Sequence, residues 1–225
     1  MSFIQSFASL LTAGSLLLGG SLDIMAPQND ADGTLFLCNR QWRVAAKFVP
    51  ETVDSGVPGQ VRELRPDAAS ALKEMYDACK QEIGITLTSV SGYRSYYTQQ
   101  SIWKRKLSRV NGSVARAQQF VAPPGTSEHQ LGLAMDVGQK NKSGLSSAFG
   151  KTEGGKWVKE NCWRFGFILR YGEEWEDVTG YKFEPWHFRY VGKEYAKEIH
   201  DANIPLETWL QQHRTDAMIS LLSAE

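Results

Sequence analysis

The chain has 225 residues, 25 basic and 25 acidic side chains, and no formal net charge. A hydrophobic share of 42% with 22% charged residues is ordinary globular usage and rules out a mostly disordered chain. The neutral balance, without a long basic run, argues against a nucleic-acid binder, whose affinity comes from neutralising phosphates.

Residues Phe3 to Leu22 are apolar or small, with Asp23 as the first charged side chain and Arg40 as the first basic one. This stretch reads either as the apolar part of an export signal or membrane anchor, lacking the usual basic flank, or as an apolar helix packed on the domain. Gln, Ser and Thr dilute it as a membrane span, and no cysteine follows for lipid attachment. Pro27–Gly33 reads as a linker, so residues 1–33 stand apart from one domain over 34–225.

From Thr34 the pattern is globular. Leu35–Asn39 predicts a short edge strand, and Pro50–Gly59, with two prolines and two glycines, a loop. Pro66–Ile83 predicts a helix: proline suits its first turn, Ala68, Leu72, Met75, Tyr76, Cys79 and Ile83 recur at helical spacing, and Gly84 stops it. Ile85–Val90 alternates and is β-branched, which predicts a strand. Helices are expected over Ser95–Val110 and Ser113–Phe120, and an irregular loop over Val121–Gln130, where Pro123, Pro124 and Gly125 forbid regular structure. Leu133–Val137 reads as a strand, Lys156–Phe165 as a helix ended by Gly166, and Phe167–Tyr171 as a strand. Phe183–Val191 reads as a further strand whose Pro185 favours an edge position or a bulge. Helices around Lys193–Ala202 and Leu206–His213 close the chain. Four or five strands among helices that do not strictly alternate with them predict an α+β fold with a mainly antiparallel central sheet flanked by helices. Cys38, Cys79 and Cys162 are too few for a disulfide scaffold and lack a C-x-x-C spacing; at least one thiol is free, or all three are reduced and buried.

The chain has four histidines, and two of them sit in dense polar contexts. His129 ends the Pro/Gly loop and Asp136 lies on the strand after it, with Gly132 and Ala134 small enough for the loop to fold closely over that strand. Glu184 and His187 are three apart; a regular strand would face them to opposite sides, whereas a bulge at Pro185 would bring both to one pocket. Two imidazoles and a carboxylate with one position left for water make the pattern of a catalytic zinc site, beside which a spare carboxylate would act as base. The alternative is that His129 and His187 are unrelated, hydrogen-bonded histidines. Arg94 falls at a strand-to-helix junction where backbone N–H groups already favour anions and Ser95 would cap the helix; there it suits a substrate carbonyl or carboxylate, or else a surface ion pair.

Taken together, Ser91-Gly-Tyr-Arg-Ser95, the stretch SEHQLGLAMDVG from Ser127 to Gly138 and EPWHFRYVG from Glu184 to Gly192 resemble the zinc carboxypeptidases of bacterial cell walls. These are the vancomycin-resistance-type D-alanyl-D-alanine carboxypeptidases and the related L,D-carboxypeptidases, of the superfamily that also holds the hedgehog signalling domain. The resemblance runs from about Asn39 to Arg214 and implies a hedgehog-like D,D-peptidase fold. It implies that His129, Asp136 and His187 hold one zinc ion, that Glu184 is the catalytic base and that Arg94 polarises the scissile carbonyl. It further implies substrate-binding roles for Ser127, Gln99 and Tyr171. The expected substrate is a peptidoglycan stem peptide ending in D-alanine, with no nucleic-acid partner, membrane contact only through the N-terminal segment, a monomeric state and an extracytoplasmic, wall-facing location. A wall endopeptidase of the phage-lysin kind and a non-catalytic zinc-binding domain are the alternatives.

Overall fold

A computed structural model describes residues 33–141 and 145–223. The apolar segment Phe3–Leu22, and with it the choice between export signal, anchor and docked helix, lies outside the described residues. Among the described residues, no helix is long and apolar enough to cross a membrane.

The expected α+β fold is present. Strands β1 (Val53–Asp54) and β2 (Glu63–Leu64) form a small antiparallel ribbon. Strands β3 (Leu87–Ser91), β4 (Ala134–Gln139), β5 (Phe167–Leu169) and β6 (His187–Tyr190) form an antiparallel sheet in the order β3-β4-β6-β5. Helix α1 (Pro66–Ile83) has the bounds read from its sequence, with Pro66 in its first turn and Gly84 in the left-handed conformation that closes its end. Its buried stripe, including Leu72, Met75 and Cys79, joins Met135, Val137 and Phe188 from alternate positions of β4 and β6 in the main core. Burying a side chain of this size contributes about 2 kcal/mol.

Because side chains alternate along a strand, the opposite face of β4 and β6 carries Asp136, His187 and Arg189. Asp136 and His187 are direct cross-strand partners. Farther out on this side a second core gathers Leu35, Leu37 and Ile168 with helices α6 (Lys193–Ala202) and α7 (Leu206–Ser223). Between these elements lie α2 (Tyr96–Arg109), α3 (Val114–Ala117), α4 (Glu153–Asn161) and α5 (Glu176–Thr179). All three cysteines are free and buried.

Several expectations need correction. Leu35–Asn39 is buried but forms no strand: instead of pairing with a neighbour, the carbonyls of Thr34 and Phe36 accept from the Arg189 guanidinium at 2.7 and 2.9 Å. The Pro50–Gly59 loop contains the two residues of β1. The last strand is shorter than Phe183–Val191 and lies inside the sheet, not at its edge. Pro185 sits outside the strand, in a turn closed by the His187 N–H donating to the Glu184 carbonyl at 3.1 Å, so no ladder bond is lost. The irregularity expected there lies instead in β3, between Ser89 and Ser91. The α4 region starts earlier than Lys156, with Thr152 as its cap, and α7 continues past His213.

Candidate metal centre and its cleft

His129 stands in a short 3-10 helix (Glu128–Leu131) that Gly132 ends in the left-handed conformation. Its Nδ1 lies 2.7 Å from the Gly92 carbonyl, so Nδ1 carries the proton that is donated and Nε2 faces inward. Gly92 is needed for a close approach, not for a left-handed turn: a Cβ there would come within 2.5 Å of the Glu63 carbonyl oxygen. His129 Nε2 lies 3.3 Å from Asp136 Oδ1 and has no hydrogen-bond partner although it is buried. His187 Nδ1 lies 3.1 Å from the same Asp136 oxygen. Ligand atoms of His129, Asp136 and His187 are all within 4.8 Å of one another. Two imidazole nitrogens and one carboxylate oxygen, with a fourth position open, are a zinc donor set, and the orphaned His129 Nε2 is the atom such an ion would satisfy.

Electrostatics favour the same set. Burial would push the Asp136 carboxyl up, but the two imidazoles beside it outweigh burial and hold it well below the usual carboxylate range. Burial, aided by the Arg94 charge, lowers His129 to about 4, which leaves it neutral and able to ligate. His187 behaves oppositely: burial lowers it, yet its bonds to Asp136 and Glu128 raise it to about 9.

Glu184 lies in the turn before β6, its N–H donating to the Tyr171 carbonyl at 3.1 Å. Burial raises its carboxyl to about 8, with His187 and Arg94 opposing and Asp136 assisting. Arg94 leads into α2, where the Ser95 hydroxyl accepts from the Thr98 N–H. Its backbone N–H donates to the His129 carbonyl at 3.1 Å, which ties the arginine to the metal-site loop, and its Nε is buried without a partner. Arg94, Gln99, Ser127, Tyr171 and Glu184 line one narrow cleft together with both histidines. Asp136 lies beneath it, so the structure brings all eight residues expected from the sequence to one place. Gln99 is anchored by its amide nitrogen to the Ala122 carbonyl at 2.7 Å and leaves its oxygen unpaired. Tyr171 stacks near His187 and Tyr181, with ring centroids 4.9 and 4.7 Å away.

Four residues of this site were not singled out from sequence. Tyr181 lines the cleft with a buried, unpaired hydroxyl. Glu128, Arg170 and Arg189 form a buried charge cluster behind His187: Glu128 Oε2 lies 3.3 Å from His187 Nε2, and its Oε1 accepts from Arg170 Nε and Arg189 Nη1 at 2.8 Å each. Burial would raise the Glu128 carboxyl, but the two guanidiniums hold it far below its ordinary value. The available signal was an arginine inside each of two apolar strands, FILRY and HFRYV, since an arginine there is buried and needs a carboxylate.

Comparison with known proteins identifies relatives of this chain. The family model described as VanY: D-alanyl-D-alanine carboxypeptidase matches residues 61–193. The chain is 43% identical to YodJ of Bacillus subtilis (strain 168), covering 84% of this chain and 70% of that protein. It is 35% identical to a D-alanyl-D-alanine carboxypeptidase of Enterococcus faecalis (strain ATCC 700802 / V583), over 83% of this chain and 69% of the relative. Among solved structures, the LdcB LD-carboxypeptidase superposes with a TM-score of 0.76 at 43% identity, covering 81% of this chain and 87% of that one. A mutant of the vancomycin-resistance D,D-pentapeptidase VanY, solved in complex with Zn(II), gives a TM-score of 0.66 at 34% identity, covering 79% and 98% of the two chains.

Proposed function

The chain belongs to the VanY family of D-alanyl-D-alanine carboxypeptidases and is a zinc metallopeptidase, and from that premise we propose that it hydrolyses the C-terminal D-alanine from peptidoglycan stem peptides. The observation that carries this reading is the convergence of His129, Asp136 and His187, with the unpaired His129 Nε2 at their centre, in one cleft with Glu184 and Arg94.

In this reading His129, Asp136 and His187 would hold one zinc ion, which would supply Lewis acidity and make water at the site more acidic. Glu184 takes the proton of the attacking water and hands it to the leaving amine. Burial, which disfavours the charged carboxylate, favours uptake of the water's proton by Glu184. Arg94 donates to the scissile carbonyl as charge develops there; its unpaired Nε and its anchorage to the His129 carbonyl mean little reorganisation at the moment of reaction. Ser127, Gln99, Tyr171 and Tyr181 orient the terminal residue and its carboxylate from the cleft walls. No acyl-enzyme is needed, and the two Ser-x-x-Lys spacings of the chain, Ser70–Lys73 in α1 and Ser101–Lys104 in α2, do not line the cleft. A stem peptide of the wall as substrate supports an extracytoplasmic, wall-facing location.

The test is mass spectrometry after incubation with tetra- and pentapeptide stems, with and without a chelator. Loss of one alanine from the pentapeptide identifies D,D activity and from the tetrapeptide L,D activity; both should stop with the chelator and return with zinc. Internal cleavage would identify the lysin-type endopeptidase instead, and intact peptides a binding domain.

A further inference from the structure

We propose that Glu128 is a positioning residue for the metal centre: clamped by Arg170 and Arg189, it accepts a hydrogen bond from the Nε2–H of His187 and thereby obliges that imidazole to present Nδ1 to the ion. The inference rests on the ligand role given to His187 above.

Glu128 occupies an unusual place. It is the chain neighbour of His129 and the side-chain partner of His187, so it touches the metal centre from two sides. It is only 1% exposed, as is Arg170, and Arg189 is fully buried. Buried ion clusters are seldom the most stable filling for a core, since apolar residues of the same volume do as well or better. The cluster therefore calls for a role beyond packing.

The geometry supplies one. An ionised carboxylate only accepts hydrogen bonds. Arg170 Nε and Arg189 Nη1 both donate to Oε1, which aims Oε2 at His187 Nε2. Neither guanidinium is free to swing away. Arg170 grips Glu207 of α7 through Nη1 and Nη2 at 2.8 and 2.5 Å. Arg189 spends Nη2 on the Thr34 and Phe36 carbonyls and Nε on that of Tyr190, at 3.0 Å. With Nε2–H committed to Glu128, the lone pair available for a metal is on Nδ1, which already lies 3.1 Å from Asp136 Oδ1. The two histidines thus ligate through different nitrogens: His129 through Nε2, because its Nδ1–H donates to the Gly92 carbonyl, and His187 through Nδ1, because its Nε2–H donates to Glu128.

The experiment compares Glu128→Gln, Glu207→Gln and His187→Ala with the native protein. A glutamine at 128 keeps size and can still offer its oxygen to the arginines, but that orientation turns its NH₂ toward His187 Nε2 and favours the tautomer with hydrogen on Nδ1. Zinc affinity, read by competition with a chromophoric chelator, should fall 10- to 100-fold, the range for loss of such outer partners. Glu207→Gln removes the far partner of Arg170 without touching His187; it should lower urea resistance while zinc affinity stays within about threefold. In the zinc-loaded native protein, ¹⁵N-histidine NMR should show His187 bound through Nδ1 with a slowly exchanging Nε2–H, a readout that holds even if Glu128→Gln does not fold. Binding through Nε2 overturns the proposal. So does native-like zinc affinity in Glu128→Gln, or an equal loss in Glu207→Gln at equal stability. If His187→Ala keeps zinc, the ligand assignment itself is wrong; if it loses zinc while Glu128→Gln does not, only the positioning role fails.

Discussion

Replacing Glu184 with glutamine separates what this buried acid costs the fold from what it does in turnover. Glu184 is 8% exposed, and burial leads the effects that raise its pKa from 4.5 to about 8. The folded, metal-free protein therefore holds this proton more tightly than the unfolded chain does. The resulting stability is fully present below the unfolded value of 4.5 and is lost as pH rises through about 8; over that interval it amounts to roughly 5 kcal/mol. Glutamine has no proton to lose, so this pH dependence disappears. Relative to wild type, metal-free Glu184→Gln should gain several kcal/mol between about pH 5 and about pH 9. Urea unfolding of chelator-stripped proteins at the two pH values measures the difference, with linear extrapolation to water. Zinc-loaded, the same variant should keep its metal, by atomic absorption, while D-alanine release falls by about 10² to 10⁴, the range for a general base. An identical stability difference at both pH values would show that burial does not hold Glu184 protonated. Undiminished turnover would place the base elsewhere, and loss of zinc would make Glu184 a ligand.

Arg94→Ala should lower kcat/KM by roughly two orders of magnitude or more with zinc content unchanged, because the arginine acts on developing charge and not on the metal; a near-native rate refutes that role. Zinc uptake near neutral pH should release one to two protons per ion, one from His187, raised to about 9, and up to one from Glu184, raised to about 8, so binding should tighten as pH rises through this range. Calorimetry in buffers of different ionisation enthalpy measures this, and zero release would contradict the site. Tyr181→Phe removes a buried hydroxyl that meets no hydrogen-bond partner of good geometry among the described residues, so stability should hold or rise slightly while KM increases; an unchanged KM excludes Tyr181 from substrate binding.

Local signals were legible wherever the physics is local. A proline, an apolar stripe and a terminal glycine determine α1 from Pro66 to Ile83, because caps and helical spacing act within a few residues. The metal-site residues could be picked out because their chemistry is rare: few histidines, each close in sequence to a carboxylate. Even so, the bulge imagined at Pro185 is a turn ahead of the strand, and a short apolar run such as Leu35–Asn39 reads as a strand whether or not a neighbour is there to pair with it. Strand order decided that β6 is interior. Tertiary structure alone assembled Glu128 with Arg170 and Arg189, which lie 42 and 61 residues farther along the chain. A buried charge is stable only beside its partner, and no rule of local spacing says which distant residue that partner will be. The sequence determined which chemistry the cleft contains; the packing of the Glu128 loop against β6 decided which nitrogen of His187 faces it.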